Sequence, residues 1–337
     1  MLPTMILPLK SAPRGLDRRT ATVPAGVSTP TPVWLRGAAK SPATLEDAAL
    51  AAGAALGALD TVIRRSECWS GVWRQRLALA AAAVTARQSG RVEDEAGLRD
   101  AVLLARSGDD VGPGGHMLLA WRSLASVRAR TLLSGDTLAG VIEGFGLAGA
   151  NAMADDLAGR IQGATVGGNP VTGAIAAFEL IEDSHRRAKV RDIAPWVADA
   201  VLANGFGWPH AVPLICAELA DGKGSLLLRS QHRETSTEGE ARRLRLLAGY
   251  ARAALRAVDL SADLGRRAEA LLAVAPKLRA KGAATVVERL LAEDAVSGSQ
   301  ASPGISDRGL RRLFDRLSDL GGVRELSGRP TFRLYGL

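Results

Sequence analysis

Leu310, Leu313, Phe314, Leu317 and Leu320 recur at three- and four-residue steps, which puts them on one stripe of a 3.6-residue helix. Ser306 suits the cap of the first turn, Asp307 suits its positive dipole end, and Gly321-Gly322 stops it. Arg308, Arg311, Arg312 and Arg316 fall largely outside the apolar stripe. The spacing therefore predicts a helix over 306–320 with one leucine face for packing and one arginine face for solvent or a polyanion. A core helix with a solvated basic face reads the same way.

The residues after this helix narrow the reading. Val323 to Leu326 and Thr331 to Tyr335 are short β-prone runs separated by Ser327-Gly328-Arg329-Pro330, which predicts a hairpin with Arg329 at or near its tip. Arg324 and Arg333 add charge on the two strands. A basic helix feeding a hairpin resembles the second half of a winged helix, where the helix reads a groove and the hairpin lies beside the sugar-phosphate backbone. On that reading double-stranded DNA is the expected partner, and its contacts are Arg308, Arg311, Arg312, Arg316, Arg324, Arg329 and Arg333. As one unit, Leu313, Phe314, Leu317, Phe332 and Leu334 should be buried together, with Arg311 and Arg329 exposed. The alternative is a terminal hairpin whose arginines only keep an edge strand soluble.

Charge distribution points to the same end. Between Gly239 and Leu337, 18 Lys and Arg face 11 Asp and Glu, a net of +7, against +8 for all 337 residues. A basic excess gathered in one segment favours a polyanion. The chain lacks a long basic helix with a hydrophobic face, so nucleic acid is preferred over a membrane surface.

The rest reads as helix. Ala, Leu and Arg dominate while aromatics are only 4%, and such side chains lose little freedom in a helix. The expected fold is mainly α: an irregular multi-helix domain with a C-terminal winged-helix-like helix plus β-hairpin. Three segments are expected: an extended, partly disordered Pro-rich basic arm over 1–43, mobile until Trp34 docks; a helical domain over 44–281, a candidate for homodimerisation; and the winged-helix-like module over 282–337. Helices are predicted from Leu45, capped by Thr44, to Arg65, and over Trp73–Arg87, Glu93–Arg106, Met117–Leu133, Pro195–Leu202, Val212–Leu219 and Glu238–Ala273. Gly112-Pro113-Gly114-Gly115 and Gly205-Phe206-Gly207-Trp208-Pro209 are expected loops. The Ala-rich runs Ala48–Leu59 and Leu77–Ala86 are too short to span about 30 Å of hydrocarbon. Cys68 and Cys216 stand alone, which favours a reducing cytoplasm over a disulfide framework. In the arm, Lys10, Arg14, Arg18 and Arg19 suit either a solubilising tail or phosphate contact.

Enzyme signatures are weaker. Gly144-Phe145-Gly146-Leu147-Ala148-Gly149 matches the spacing of a dinucleotide loop, but neither a βαβ unit nor an acidic residue about 20 positions on accompanies it. Its glycines suit a turn or close packing instead. His116, His185, His210 and His232 have no recognisable partner in sequence, and Glu93-Asp94-Glu95 and Asp155-Asp156 read as acidic helix starts more simply than as Mg²⁺ ligands. No catalytic residue, cofactor or metal is therefore assigned, although a helical enzyme with residues converging from distant positions is left open.

Three stretches carry a family likeness: Ala268 to Gly282 with Asp294-Ala295-Val296-Ser297, the closing run Leu313 to Leu337, and Arg74-Gln75-Arg76-Leu77-Ala78-Leu79 with Trp196 to Leu202 and Gly207-Trp208. They resemble the bacterial family called domain of unknown function 1403, over most of the chain after the arm. The resemblance implies a plasmid- or mobile-element-associated protein without assigned chemistry. Leu320 to Arg329 is also similar to winged helices at the ends of Fic-type proteins and of segregation-and-condensation protein B. One departure matters, because Ser297 to Ile305 holds Gly298, Pro303 and Gly304 and cannot supply the helix that precedes a recognition helix. A degenerate motif of this kind would serve as a protein adaptor in a segregation-type complex, the competing expectation.

Overall fold

The computed structural model describes residues 31–106, 108–165, 168–184, 188–219, 236–278, 280, 282–299, 305–329 and 331–337. The expectations placed on Lys10, Arg14, Arg18, Arg19, His185 and His232 lie outside the described residues. So do Pro303 and Gly304, and Pro330 of the predicted turn.

The protein is mainly α. Its helices in chain order are α1 (Val33–Lys40), α2 (Leu45–Arg65), α3 (Ser70–Gln88), α4 (Glu95–Leu103), α5 (Gly112–Ser126), α6 (Gly135–Gly144) and α7 (Ala150–Thr165). There follow α8 (Pro170–Ser184), α9 (Ala188–Arg191), α10 (Ala194–Phe206), α11 (Ile215–Glu218), α12 (Ser236–Val274), α13 (Ala283–Ala292) and α14 (Asp307–Asp319). Strands β1 (Val296–Ser297), β2 (Arg324–Glu325) and β3 (Leu334–Gly336) form one antiparallel sheet with β3 in the middle.

The central pillar is α12, whose 39 residues span about 58 Å at 1.5 Å per residue. Along it lies α2, which starts where the sequence places it: the Thr44 hydroxyl accepts from the Asp47 amide at 3.1 Å, and Glu46 and Asp47 sit at the positive end. The packing is alanine against alanine. Ala48, Ala51, Ala52 and Ala55 of α2 and Ala251, Ala254 and Ala257 of α12 are fully buried, and such small side chains let two backbones approach closely. Elsewhere α10 packs on α8, α3 on α5 and α6 on α7. Every residue of α10 from Ala194 to Ala203 is buried.

Four tryptophans pin these helices together, their buried indole N–H groups each finding an acceptor. Trp73 donates to the Ala257 carbonyl at 2.8 Å, Trp196 to the Ala120 carbonyl at 3.0 Å, Trp121 to Thr85 Oγ1 at 3.0 Å and Trp208 to Asp60 Oδ1 at 2.9 Å. Each bond ties one helix to a residue far along the chain, and together they orient the low-aromatic core.

Several boundaries differ from the sequence reading. Val33–Lys40, expected within an extended arm, is helix, and it docks through Leu35 and Ala39 while Trp34 stays 59% exposed. Gly112-Pro113-Gly114-Gly115, expected as a loop, is the first turn of α5. Proline is tolerated there because its missing N–H has no helical partner to lose. Close packing accounts for Gly114 and Gly115, since a Cβ at Gly115 would lie 2.6 Å from that of Val111 and one at Gly114 would lie 3.0 Å from Leu98. The expected Val212–Leu219 helix shrinks to α11, because Pro213 disfavours helix before it and Asp199 takes the amides of Leu214 and Ile215.

Candidate nucleic-acid interface

The Ser306 hydroxyl caps α14, accepting from the Gly309 amide at 3.2 Å. Leu310, Leu313, Phe314 and Leu317 are buried on one face. The helix ends in a left-handed turn at Gly321 (φ 71°), where the Gly322 amide donates to the Leu317 carbonyl at 2.9 Å. Gly322 then seats the turn on the end of α12: a Cβ there would lie 2.7 Å from Val274 and 3.5 Å from Leu271.

The sheet packs against the same buried face of this helix. Val296 pairs with Tyr335 and Ser297 with Leu334, while Arg324 faces Gly336 and Glu325 faces Tyr335. Tyr335 lies flat on Phe314, with ring centroids 4.3 Å apart at 8°. Leu313, Phe314, Leu317 and Leu334 are buried as expected, but Phe332 is not: it is 61% exposed. The predicted strand from Thr331 begins instead at Leu334. Phe332 has φ 55°, which breaks extended pairing, and the Leu334 amide turns to Ser327 Oγ at 3.1 Å.

The seven predicted arginines divide into two groups. Arg308, Arg311, Arg312 and Arg316 are exposed on α14, and none forms an ion pair among the described residues. Asp315 and Asp319 share their face, so positive charge is densest over the first two turns. Two of the three hairpin arginines are engaged. Arg329, exposed as expected, pairs with Asp100 of α4, and Arg333 pairs with Glu325 at 3.6 Å and donates to the Arg329 carbonyl at 3.3 Å. Arg324 is exposed on β2; partial burial, then Arg267 and Arg76, hold its pKa below the usual guanidinium range.

Much of the remaining C-terminal charge is paired within the chain. Arg242 pairs with Asp183, Arg243 with Glu179, Arg252 and Arg256 with Glu218, Arg266 and Arg267 with Asp263, and Arg289 with Glu293. What stands out of the fold is the α14 set. The segment is anchored from below by Asp294, whose side chain is fully buried between Arg76 of α3 and, at 2.6 Å, Arg99 of α4. Arg76 and Arg267 also reach the Leu337 carbonyl. The Asp294 anchors had no signal in sequence spacing, because their partners lie some 200 residues apart.

Other candidates resolve locally. Gly144 ends α6 against Ala120, where a Cβ would come within 2.9 Å, and Gly146 and Gly149 take φ of 73° and 75° to turn the chain into α7. The match to a dinucleotide loop is therefore a packed helix end and a turn. Asp94 caps α4, accepting from the Gly97 amide at 2.8 Å, and Glu93 pairs with Arg91. Asp155 and Asp156 lie beyond the first turn of α7, with Asp156 paired to Arg160, so they do not form an acidic helix start. His116 is exposed on α5 with Nε2 2.9 Å from Asp110 Oδ1 and borders a cavity of about 550 Å³ with Asp136 and Glu143. Burial, then Arg74 and Arg128, hold His210 below the usual imidazole range. Cys216 is buried against Thr85, its thiol pushed up to about 12 by desolvation, and Cys68 is exposed and free. Among the described residues no group of three His, Cys, Asp or Glu could hold a metal, and no helix is long and apolar enough to cross a membrane.

Comparison with protein families matches residues 23–337 to the family described as "Protein of unknown function (DUF1403)". The chain belongs to this family. The matched range covers the pillar, Asp294 and the C-terminal helix and hairpin alike. Among curated proteins nothing matches.

Proposed function

We propose that this DUF1403 protein binds double-stranded DNA without catalysing a reaction, through α14 and the hairpin of its C-terminal segment. The observation that carries the reading is the row Arg308, Arg311, Arg312 and Arg316, exposed and free of ion pairs among the described residues, on a helix whose opposite face is fully packed. Among the described residues the order α13, β1, α14, β2, β3, with β3 central, is consistent with a winged helix in which α13, upstream of β1, supplies the first helix. In such modules the N-terminal half of the recognition helix meets base edges, and that is where Arg308, Arg311 and Arg312 lie. Plasmid or nucleoid association belongs to the same proposal.

A second reading, a protein adaptor, is favoured by the engaged hairpin arginines and by Asp315 and Asp319 on the basic face. Fluorescence anisotropy of the full chain with a labelled random duplex separates the two. A phosphate binder loses affinity log-linearly with salt, with a slope of about −0.9 per phosphate neutralised. Absence of binding at low ionic strength would reject the DNA reading and leave the adaptor.

A further inference from the structure

Between α14 and the hairpin lies a cavity of about 400 Å³ whose walls include Arg311 and Asp315 on one side and Phe332, Arg333 and Tyr335 on the other. Its floor is rigid, because Tyr335 is stacked on the buried Phe314. Gly298 makes room for that ring, since a Cβ there would come within 3.0 Å of it.

Phe332 is the anomaly. A bulky side chain at φ 55° is strained where glycine or asparagine would not be, and the usual compensation, burial of the ring, is absent. Strain held in an exposed residue at the mouth of a cavity is a mark of function. The ring offers a flat apolar ledge, and a guanidinium stands on either wall. Arg311 has no ion pair among the described residues, and Arg333, with five N–H donors, shares some of them among the Tyr335 hydroxyl, Glu325 and the Arg329 carbonyl and has others to give. Asp315 adds one acceptor.

A flat ledge, two cations and one acceptor in a space of this size match a planar heteroaromatic ring that carries a phosphate and an exocyclic amine. Intact duplex does not present a base face, since its bases are stacked and paired. We propose that this cavity holds one unpaired nucleotide, its base on Phe332, its phosphate between Arg311 and Arg333 and its amine on Asp315. The protein then prefers duplexes with an overhang or a bulge to uninterrupted ones. This inference rests on the DNA reading above and adds the kind of DNA.

The test is anisotropy of the full chain with three versions of one duplex: blunt, with a short 3′ overhang, and with a single bulged 2-aminopurine. Wild type should bind the overhang and the bulge roughly tenfold tighter than the blunt duplex, the range of one base stacked on an aromatic ring, and the emission of the bulged 2-aminopurine should change on binding. Phe332→Ala should bring the three affinities together and abolish the emission change. Phe332→Tyr should keep both, and circular dichroism should show the helical fold in each. Equal binding of the three duplexes by wild type, or a preference that survives Phe332→Ala, overturns this inference while the DNA reading stands. Failure to bind any duplex at low salt overturns both.

Discussion

Asp294 is a carboxylate with no exposed side-chain surface, held between Arg76 and Arg99. Removing one member of a buried ion pair leaves the others desolvated and uncompensated, which costs about 3–5 kcal/mol. Asp294→Ala should therefore lower the unfolding free energy of the whole chain by that amount, read in urea as a lower midpoint at unchanged slope. Asp199 behaves differently. It is fully buried, accepts the amides of Leu214 and Ile215, and has the Tyr250 hydroxyl beside it, yet desolvation raises its pKa to about 8. A folded-state value above the unfolded one, near 3.9, means that the folded protein binds this proton more tightly. That stabilisation is complete at low pH and fades as pH rises through about 8. The melting temperature should fall from about pH 4 to about 8 and level off above it, and Asp199→Asn should flatten the fall. Desolvation raises Glu182 in the same direction, to about 7. Neither Asp294 nor Asp199 was legible as a partner in the sequence, although Arg76 and Asp294 lie in two of the stretches that resemble the family. A linear pattern reports what a residue is, and only the folded chain says what it meets. Phe332 failed for the same reason: its place in a β-prone run implied burial, and its backbone angle reversed it.

At the scale of elements, α14 is the best-read part of the chain. Its cap, apolar stripe, glycine stop and outward arginines all follow from local spacing, which is why they survive in the structure. Replacing Arg311 and Arg312 with Ala should leave circular dichroism unchanged, since both lie off the packed face. The salt slope of duplex binding should become shallower by about 1 unit for each phosphate no longer neutralised. Unchanged affinity and slope would remove this face as the DNA surface. By contrast α13, β1 and the glycine-led start of α5 were missed, because short elements are defined by what they pack against. Gly71 shows the constraint: a Cβ there would lie 2.7 Å from Ala292 Cα and 2.9 Å from its carbonyl oxygen. Backbone cannot yield as a side-chain tip can, so Gly71→Ala should cost about 1–3 kcal/mol in denaturant unfolding by forcing α3 and α13 apart.

For the whole molecule, the C-terminal segment is tied to the helical body at several points: Asp294 to α3 and α4, Arg329 to Asp100, and Gly322 on the end of α12. Amides of α14 should then exchange with the same opening free energy as those of α12 near Leu271, and exchange at distinctly lower energy would show a separately unfolding module. The helical class was legible throughout because composition decides it; the arrangement was not, because it depends on alanine faces and indole bonds between distant residues. Those indoles have an optical consequence. All six tryptophans, at 34, 69, 73, 121, 196 and 208, precede the pillar, and the C-terminal helix and hairpin contribute none. Intrinsic emission is thus a private channel for the helical body, blind to a ligand seated on α14. A shift in that emission during a titration at the C-terminal end would mean that occupancy there had been felt across the Asp294 anchor.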